Sequence, residues 1–282
     1  MTNTISEHGL IDFNPTAIAV PDMYRISQDF VSTLPGLHLQ TNAHRTLHAL
    51  LHATCRALSD WKEDHIQPEQ GFLQPCKALR KIIGTEAANC NRSLRDGVIQ
   101  LKKTEIFDIL NFAHDFHWLN WRFTDTTLQQ ILDERRYGLF DASILPALGS
   151  PLDFTICSSV ALVRRMRRPQ FSIQVEKLAA MLETPDKRWC KVRKSFIKSL
   201  MTVGAHQNLI FFVLLKCEGY SRGIDTVDVR IKRPGSLWTI DRLVKVTPTT
   251  RNYLVVDASG VSEMNLDNLN KDIARIMQTK PK

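Results

Sequence analysis

Five of the six basic side chains of residues 187–198 carry the clearest binding chemistry of this chain. They are Lys187, Arg188, Lys191, Lys194 and Lys198. On an α-helix the four lysines share one face and present a row of ammonium groups, each able to contact a phosphate as a point charge. Arg188 has the planar guanidinium fork that can bind a base edge through two hydrogen bonds. The pattern predicts a surface for a phosphate backbone.

The other side of the same segment is apolar, which predicts an amphipathic helix over residues 187–203. Trp189, Val192, Phe196 and Leu200 fall within about 60° of one direction on the helical wheel. We therefore expect the apolar side to pack on the domain and the lysine side to face solvent. As the second helix of a helix-turn-helix, such a segment would enter the major groove of DNA or lie across it.

The net charge of the chain is concentrated around this predicted helix. The 37 Lys and Arg residues exceed the 29 Asp and Glu residues by eight. Residues 161–198 hold eleven basic and three acidic side chains, so this stretch accounts for the whole surplus. Such a concentration is typical of a surface that binds nucleic acid. A solvated helix face is the alternative, and the arginines of residues 164–168, with Arg222 in a predicted hairpin tip, favour nucleic acid.

A weaker version of this pattern occurs in the first half of the chain, where we predict a helix over residues 85–101. Its predicted inward face consists of Cys90, Leu94, Val98 and Leu101. Asn89, Arg92 and Arg95 lie outside that face, and their hydrogen-bonding groups suit base edges. An ordinary polar helix face is the alternative. Together, the two helices would let one chain bind successive major grooves without dimerisation.

Both halves of the chain show the same order of predicted elements: helix, helix, turn, helix, strand, loop, strand. In the first half these are residues 41–61, 76–83, 85–101 and the extended stretch 105–123, and in the second half 153–167, 174–182, 187–203, 208–216 and 226–232. This is the order of a winged helix-turn-helix, and it occurs twice. We therefore predict an α+β fold, mainly helical, with two tandem winged helix-turn-helix domains.

The predicted domain boundaries follow the breaks in these patterns. Residues 1–40 show no sustained period and contain three prolines, so we expect an N-terminal arm. Residues 41–145 form the predicted first winged-helix domain, and residues 146–235 form the second. The remaining residues, 236–282, are expected to be a small C-terminal extension, with a strand over residues 253–256 and a helix over residues 262–278.

These patterns resemble the theta-type plasmid replication initiators, a family built from tandem winged helices that bind repeated origin sequences. The resemblance runs over residues 41–233, and the tail after Pro234 departs from it. It is carried by residues 119–123 (Leu-Asn-Trp-Arg-Phe), 136–140 (Arg-Tyr-Gly-Leu-Phe), 171–182, 189–203, 210–213 and 227–231. The resemblance implies sequence-specific binding of double-stranded DNA at the direct repeats, or iterons, of a plasmid origin. It further implies origin melting and recruitment of a host replication initiator and a replicative helicase, and it allows a homodimer.

Two other functions fit the same residues. A winged-helix transcriptional regulator would share the DNA surface but would usually need a dimer or an effector domain. A protein-interaction scaffold would use the basic surface for an acidic partner, and its binding to duplex DNA would be weak and indifferent to sequence.

The histidines of the first predicted helix raise the question of a metal site. His44, His48, His52 and Cys55 are spaced four, four and three residues apart, and histidines at i and i+4 can share one zinc ion. A single straight helix, however, cannot surround one ion with four tetrahedral ligands, and the same face borders an apolar stripe. We predict no metal and no cofactor, while the sequence alone leaves metal binding by these four residues undecided.

Sequence motifs for catalysis are missing. The chain has neither the G-x-x-x-x-G-K-[ST] loop of nucleotide-binding proteins nor the G-x-S-x-G turn of serine hydrolases. No two histidines are separated by one residue, which removes the usual metal pair of rolling-circle nicking enzymes. The six cysteines are scattered, and no apolar run reaches the roughly 20 residues of a membrane span. We therefore predict a non-enzymatic cytoplasmic protein, associated with a plasmid or the nucleoid and not with a membrane.

Overall fold

A computed structural model of the chain describes residues 11–12, 23–59, 69–87, 90–132, 136–217, 223–232 and 250–264. The chain forms two compact units, residues 1–162 and residues 163–282. Each unit combines helices with strands, which confirms the α+β part of the predicted fold. The division falls at residue 162, whereas the sequence analysis placed it at residue 145. Within the described ranges, no helix combines the length and the apolar character that a membrane crossing requires.

Unit 1 contains a long, largely buried helix of 19 residues. Its helices are α1 (Gln28–Thr33), α2 (Thr41–Ser59), α3 (Cys76–Ile82), α4 (Arg92–Leu101), α5 (Asp125–Leu132) and α6 (Pro151–Val163), with 3₁₀ helices at Leu34–Leu37 and Ala142–Ala147. Its strands are β1 (Ile11–Asp12), β2 (Met23–Ser27), β3 (Phe72–Pro75), β4 (Phe107–Ala113), β5 (Trp118–Phe123) and β6 (Tyr137–Asp141). Strands β1, β3, β5 and β4 form one sheet in that order, and β2 pairs with β6.

Residues 23–40, assigned to an N-terminal arm in the sequence analysis, are part of the core of unit 1. Strand β2 pairs with β6 along its whole length in antiparallel register. Tyr24, Ile26 and Phe30 are buried. The side chain of Ser27 accepts a hydrogen bond from the backbone N–H of Phe30 and so caps the start of α1. Most of the remaining predicted arm lies outside the described residues.

The described residues of unit 2 form a five-stranded sheet and two helices. Its elements are β7 (Gln170–Gln174), α7 (Val175–Met181), α8 (Trp189–Gln207), β8 (Ile210–Lys216), β9 (Thr226–Lys232), β10 (Thr250–Asp257) and β11 (Gly260–Met264), and the strand order is β11-β10-β8-β9-β7. Strand β10 pairs with β8, so the strand predicted over residues 253–256 is confirmed and belongs to this sheet. The helix predicted over residues 262–278 is wrong at its start because β11 continues to Met264. Residues 265–278 lie outside the described residues.

The same arrangement of a strand, two helices and a hairpin occurs in both units. In unit 1, β3 leads into α3 and α4 and then into the antiparallel pair β4–β5, and in unit 2, β7 leads into α7 and α8 and then into β8–β9. The first strand pairs with the last in each case, β3 with β5 and β7 with β9. Helices α3 and α7 are both seven residues long and begin 99 residues apart, at Cys76 and Val175. The chain therefore uses one topology twice.

The turn after the first helix of each pair is also closed in the same way. The backbone N–H groups of Thr85 and Thr184 each donate to a carbonyl oxygen five residues back, at 2.9 and 3.0 Å. Gly84 and Glu183, one residue earlier, have left-handed φ values of 73° and 50°. Such turns satisfy the free carbonyl groups at a helix end and set the direction in which the chain continues. They therefore direct the chain towards α4 and α8.

Helix α4 begins at Arg92, seven residues after the predicted start at Thr85. Thr85 closes the turn after α3 instead of capping α4. Cys90, predicted to face the core, is exposed because it precedes the helix. The other residues of the predicted inward face, Leu94, Val98 and Leu101, are buried. Helix α4 is therefore shorter than predicted but has the predicted face turned inward.

Gly97 allows α4 to pack closely against α2. A Cβ atom at this position would lie 2.3 Å from Oγ1 of Thr46 and 2.7 Å from the carbonyl oxygen of Asn42. On an exposed helix, Gly→Ala would raise the free energy of unfolding by about 1 kcal/mol because alanine has the higher helix propensity. Here the backbone oxygen of Asn42 can move away only if α2 moves. The steric cost of the added methyl group therefore exceeds the gain in helix propensity. We expect Gly97→Ala to lower the free energy of unfolding by about 1–3 kcal/mol, measured by urea denaturation.

Gly36→Ala is the matched control for this prediction, since a Cβ atom at Gly36 would have no neighbour within 4 Å. We expect the control to leave the free energy of unfolding nearly unchanged. Equal changes in the free energy of unfolding for the two substitutions would show that the packing of α4 on α2 does not require a glycine at position 97.

Candidate nucleic-acid interface

Three lysines line the solvent face of α8. Lys191, Lys194 and Lys198 are exposed, and their spacing of three and four residues places them on one face of the helix. The 19 residues of α8 include no Asp or Glu, so no acidic side chain of the helix neutralises this row. In the described part of the chain, no carboxylate forms an ion pair with Lys194 or Lys198. Among the described residues, Lys194 and Lys198 therefore face solvent without a carboxylate partner, while Lys191 lies within electrostatic reach of Asp186.

The opposite face of α8 holds the helix on unit 2. Its predicted inward residues, Trp189, Val192, Phe196 and Leu200, are all buried, which confirms the prediction. The rings of Trp189 and Phe196 meet edge to face with centroids 5.8 Å apart. Arg193, one of the eleven basic residues of the stretch 161–198 (the charge cluster), donates from Nη2 to Oε2 of Glu263 on β11 at 3.0 Å. These contacts fix the rotation of α8 and keep its lysine row turned outward.

Lys187 and Arg188 lie before α8, so the prediction that the helix begins at Lys187 is wrong by two residues. Arg188 is the N-cap residue and has an extended backbone with φ −82° and ψ 142°. Its guanidinium and its backbone N–H donate to the carboxylate of Asp186 at 2.6–3.1 Å, and these hydrogen bonds lower the pKa of Asp186 to about 2. Lys187 pairs with Glu176 on α7. The predicted row of four helical lysines is therefore a row of three.

Arg92 and Arg95 lie on the exposed face of α4. The guanidinium carbon of Arg95 lies 4.8 Å from the ring centroid of Phe116, which is a cation–π contact. The side-chain amide of Asn91 donates to the carbonyl oxygen of Phe116 at 2.6 Å. The hairpin between β4 and β5 is thus held against the first turn of α4, and Arg95 has a defined orientation.

Phe116 is a residue that the sequence analysis missed. It is half exposed in the turn of the hairpin, where His114, Asp115 and Phe116 all have left-handed φ values, of 48°, 52° and 67°. Such backbone conformations in non-glycine residues cost about 1–3 kcal/mol each and persist only where surrounding contacts hold them. The four residues from His114 to His117, between two alternating segments, signal a turn. Nothing in that signal indicates the contact with Arg95.

The remaining predicted binding residues are Asn89, Arg222 and the arginines that follow α6. Asn89 and Arg222 lie outside the described residues, so their roles stay predictions. In the arginine segment after α6, Arg165, Arg167 and Arg168 are exposed. The described chain therefore places basic residues on the solvent face of one helix in each unit, with a further basic segment in unit 2.

The histidines of α2 are buried in an aromatic cluster of unit 1. The ring of His44 stacks on that of Phe154 with the centroids 4.9 Å apart, and a hydrogen bond joins the hydroxyl of Tyr24 to Nδ1 of His48. Burial lowers the pKa of His44 to about 4, and burial together with the neighbouring His44 lowers the pKa of His48 well below its usual range. His52 packs edge to face on Tyr24. Among the described residues, no group of three or more His, Cys, Asp or Glu side chains could hold a metal ion.

The fold matches solved structures although comparisons of the sequence find no match. No family model matches the sequence, and no curated protein matches it. Nineteen chains of solved structures match the fold. One of them is the Pi initiator protein in complex with iteron DNA, with a TM-score of 0.58 and 15% sequence identity over 78% of this chain and 100% of that chain. At this identity the likeness shows a shared fold.

Proposed function

We propose that this protein binds double-stranded DNA sequence-specifically at the direct repeats of a replication origin and thereby initiates replication of a plasmid or a related mobile element. In this proposal each unit is a winged helix-turn-helix. The helix pairs are α3–α4 and α7–α8, the wings are the hairpins β4–β5 and β8–β9, and α4 and α8 contact the major groove. The protein acts without catalysis in the cytoplasm, associated with the plasmid. It recruits a host replication initiator and a replicative helicase, and the proposal allows a homodimer.

The observation that carries the proposal is the presence of exposed cations at corresponding positions of the repeated topology. Arg92 and Arg95 of α4 lie 99 residues before Lys191 and Lys194 of α8, the same spacing that separates α3 from α7. All four side chains are exposed. A scaffold that bound one acidic protein would gain nothing from a second basic helix at the equivalent place. Two such helices suit an extended, regular polyanion.

The chemistry of the two helices differs in a way that fits duplex DNA. Helix α8 presents ammonium groups, which hold phosphates without strict geometry and fix the position of the protein on the duplex. Helix α4 presents guanidinium groups, which can bind guanine through O6 and N7 together. We infer that unit 2 supplies most of the affinity and that unit 1 contributes to the choice of sequence.

The fold likeness supports the same partner. The Pi initiator protein matches along its whole chain, and its structure contains iteron DNA. The matching part covers 78% of the present chain, enough to span more than either unit alone. The likeness is one of fold, and the charged faces of α4 and α8 supply the argument for binding.

Selection from a random duplex pool tests the proposal directly. We expect the full-length protein to retain one recurrent sequence, and we expect copies of that sequence to form direct repeats beside the gene that encodes the protein. Binding without any preferred sequence would contradict the proposal and favour the interaction scaffold. No binding to duplex DNA at all would remove both the initiator and the regulator.

Deletion of the gene from a plasmid that carries the repeats separates the initiator from the winged-helix transcriptional regulator. We expect the plasmid to be lost during growth without selection, and we expect the gene supplied from a second replicon to restore it. A plasmid that is maintained while transcription from its promoters changes would contradict replication initiation and support the regulator.

A further inference from the structure

Ile99 is exposed on the basic face of α4. It is 57% exposed, more than any other large hydrophobic side chain of the described residues. It lies seven residues after Arg92 and four after Arg95, and these spacings place all three side chains on the same face of the helix. An exposed branched aliphatic side chain among charged residues gains free energy only if something apolar covers it.

The repeated topology shows what position Ile99 occupies. The spacing of 99 residues that relates α3 to α7 makes Ile99 of α4 the residue equivalent to Lys198 of α8 in the repeated topology. The outward face of α8 carries Lys191, Lys194 and Lys198, whereas the same three positions of α4 carry Arg92, Arg95 and Ile99. One helix thus has an ammonium group where the other has an apolar group. The two helices are therefore equipped for different contacts at this position.

The surroundings of Ile99 decide which apolar group suits it. Its neighbours on the exposed face, Arg92, Arg95 and Asp96, are all charged. An apolar protein patch usually needs several adjacent apolar side chains, which this face does not have. A small apolar group flanked by phosphates fits it better. The major groove of DNA offers one such group on its base edges, the C5-methyl of thymine.

Arg95 supplies a second contact one helical turn earlier. Phe116 holds its guanidinium at 4.8 Å, and Asn91 holds the backbone of Phe116. A guanidinium that is oriented before binding loses less conformational entropy when it forms its two hydrogen bonds. The combination gives α4 one polar and one apolar group for neighbouring base pairs.

We propose that Ile99 contacts a thymine methyl group in the major groove, beside the base pair that Arg95 contacts, and so determines part of the sequence that the protein selects. This inference rests on the proposed function, since it needs α4 to lie in the major groove. It goes further by assigning one residue to one chemical group on the DNA.

Replacing each thymine of the selected duplex in turn by deoxyuridine removes one methyl group and leaves the Watson–Crick hydrogen bonds unchanged. We expect one thymine position to be sensitive, with affinity about fourfold lower after the replacement, the effect of one buried methyl-sized group. We expect Ile99→Ala to bind the thymine duplex several-fold more weakly than the wild type does and to bind the two duplexes equally. The loss of sensitivity in the variant is the result that identifies the contact.

Val261→Ala is the matched control because Val261 is also an exposed aliphatic residue, on β11. It should keep the full sensitivity to deoxyuridine. Sensitivity that persists in Ile99→Ala, or a duplex in which no thymine position is sensitive, would overturn the inference and leave the proposed function standing. A change of oligomeric state in Ile99→Ala, measured by light scattering without DNA, would instead assign Ile99 to a contact between copies and overturn the inference. Failure of the wild type to select any duplex would refute the proposed function itself.

Discussion

Replacing Lys191, Lys194 and Lys198 together with alanine should weaken binding to the selected duplex by about two to three orders of magnitude at 0.1 M salt. Each ammonium group that contacts a phosphate adds about 0.9 to the slope of log K against log salt concentration, so three lysines account for about 2.7 units of slope. All three side chains are exposed, and the buried face of α8 is untouched, so folding should be unaffected. Titration of a labelled duplex by fluorescence anisotropy at several salt concentrations measures the slope.

Lys187→Ala is the matched control for the triple variant. Lys187 belongs to the same charge cluster, but it precedes α8 and pairs with Glu176. We expect its replacement to change the slope by much less than the roughly 0.9 units expected for each lysine of the row. A triple variant with the wild-type slope would move the DNA surface away from α8. If Lys187→Ala lowered the slope as much as the loss of each lysine of the row does, net charge alone would explain binding. The exposed face of α8 would then have no special role.

The two faces of α8 could be predicted from the sequence because both follow from helical periodicity. Trp189, Phe196 and Leu200 are buried, and Lys194 and Lys198 are exposed, as the wheel indicates. A period is a local property, so it survives whatever the rest of the chain does. The helices α7 and α8 were predictable for the same reason, whereas the predicted element order lacks the strands β3 and β7 that precede the two helix pairs.

The partners of the basic residues were harder to predict because they depend on folding. Arg193 binds Glu263, which is 70 residues away in sequence, and no local pattern connects the two. The pairing of Lys187 with Glu176 depends on how α7 and α8 pack. Counting charges therefore located the basic segment but overestimated the number of lysines that lie on α8.

The predicted start of α4 is wrong because the residues of a single turn, Gly84 and Thr85, resemble both the end of one helix and the start of the next. A helix that began at residue 85 would need Thr85 as a residue of its first turn, directly after Gly84 at the end of the preceding helix. In the structure Thr85 completes the turn after α3, and six further residues precede α4. A Ser or Thr beside a helix end can satisfy either helix, and the geometry of the intervening chain decides which.

The functional weight of Phe116 and Ile99 was not visible from the sequence. Phe116 matters because left-handed residues turn the hairpin towards α4, and Ile99 matters because no described residue covers it. Both are ordinary apolar residues in the sequence, and their significance comes from exposure in the folded chain. Exposed apolar side chains beside cations are therefore informative only after the fold is known.

Acidification from pH 6 to about pH 5 should lower the free energy of unfolding by up to about 3 kcal/mol per pH unit, the effect of two extra protons bound by the unfolded chain. Burial keeps His44 and His48 neutral in the folded protein, with the pKa of His44 at about 4 and that of His48 also lowered. In the unfolded chain both titrate near pH 6.5. Below that pH the unfolded state binds about two more protons, so the free energy of unfolding falls with pH; above it the contribution vanishes. Urea denaturation at a series of pH values, followed by tryptophan fluorescence, measures this slope. Trp121 is a suitable reporter because it is buried in unit 1 and donates a hydrogen bond to Thr54 on α2, the helix that carries both histidines.

The variants His44→Phe and Tyr24→Phe separate proton binding from a general weakening of the core. A phenylalanine at position 44 can keep the stacking on Phe154 and removes one of the two protons, so we expect the slope to fall to about half its wild-type value. Tyr24→Phe removes the hydroxyl that bonds His48 but leaves both buried imidazoles, so stability should fall while the slope remains. An unchanged slope in His44→Phe would place the acid-sensitive groups elsewhere. Only the number of protons taken up on unfolding sets this slope, so a loss of packing alone cannot imitate the result.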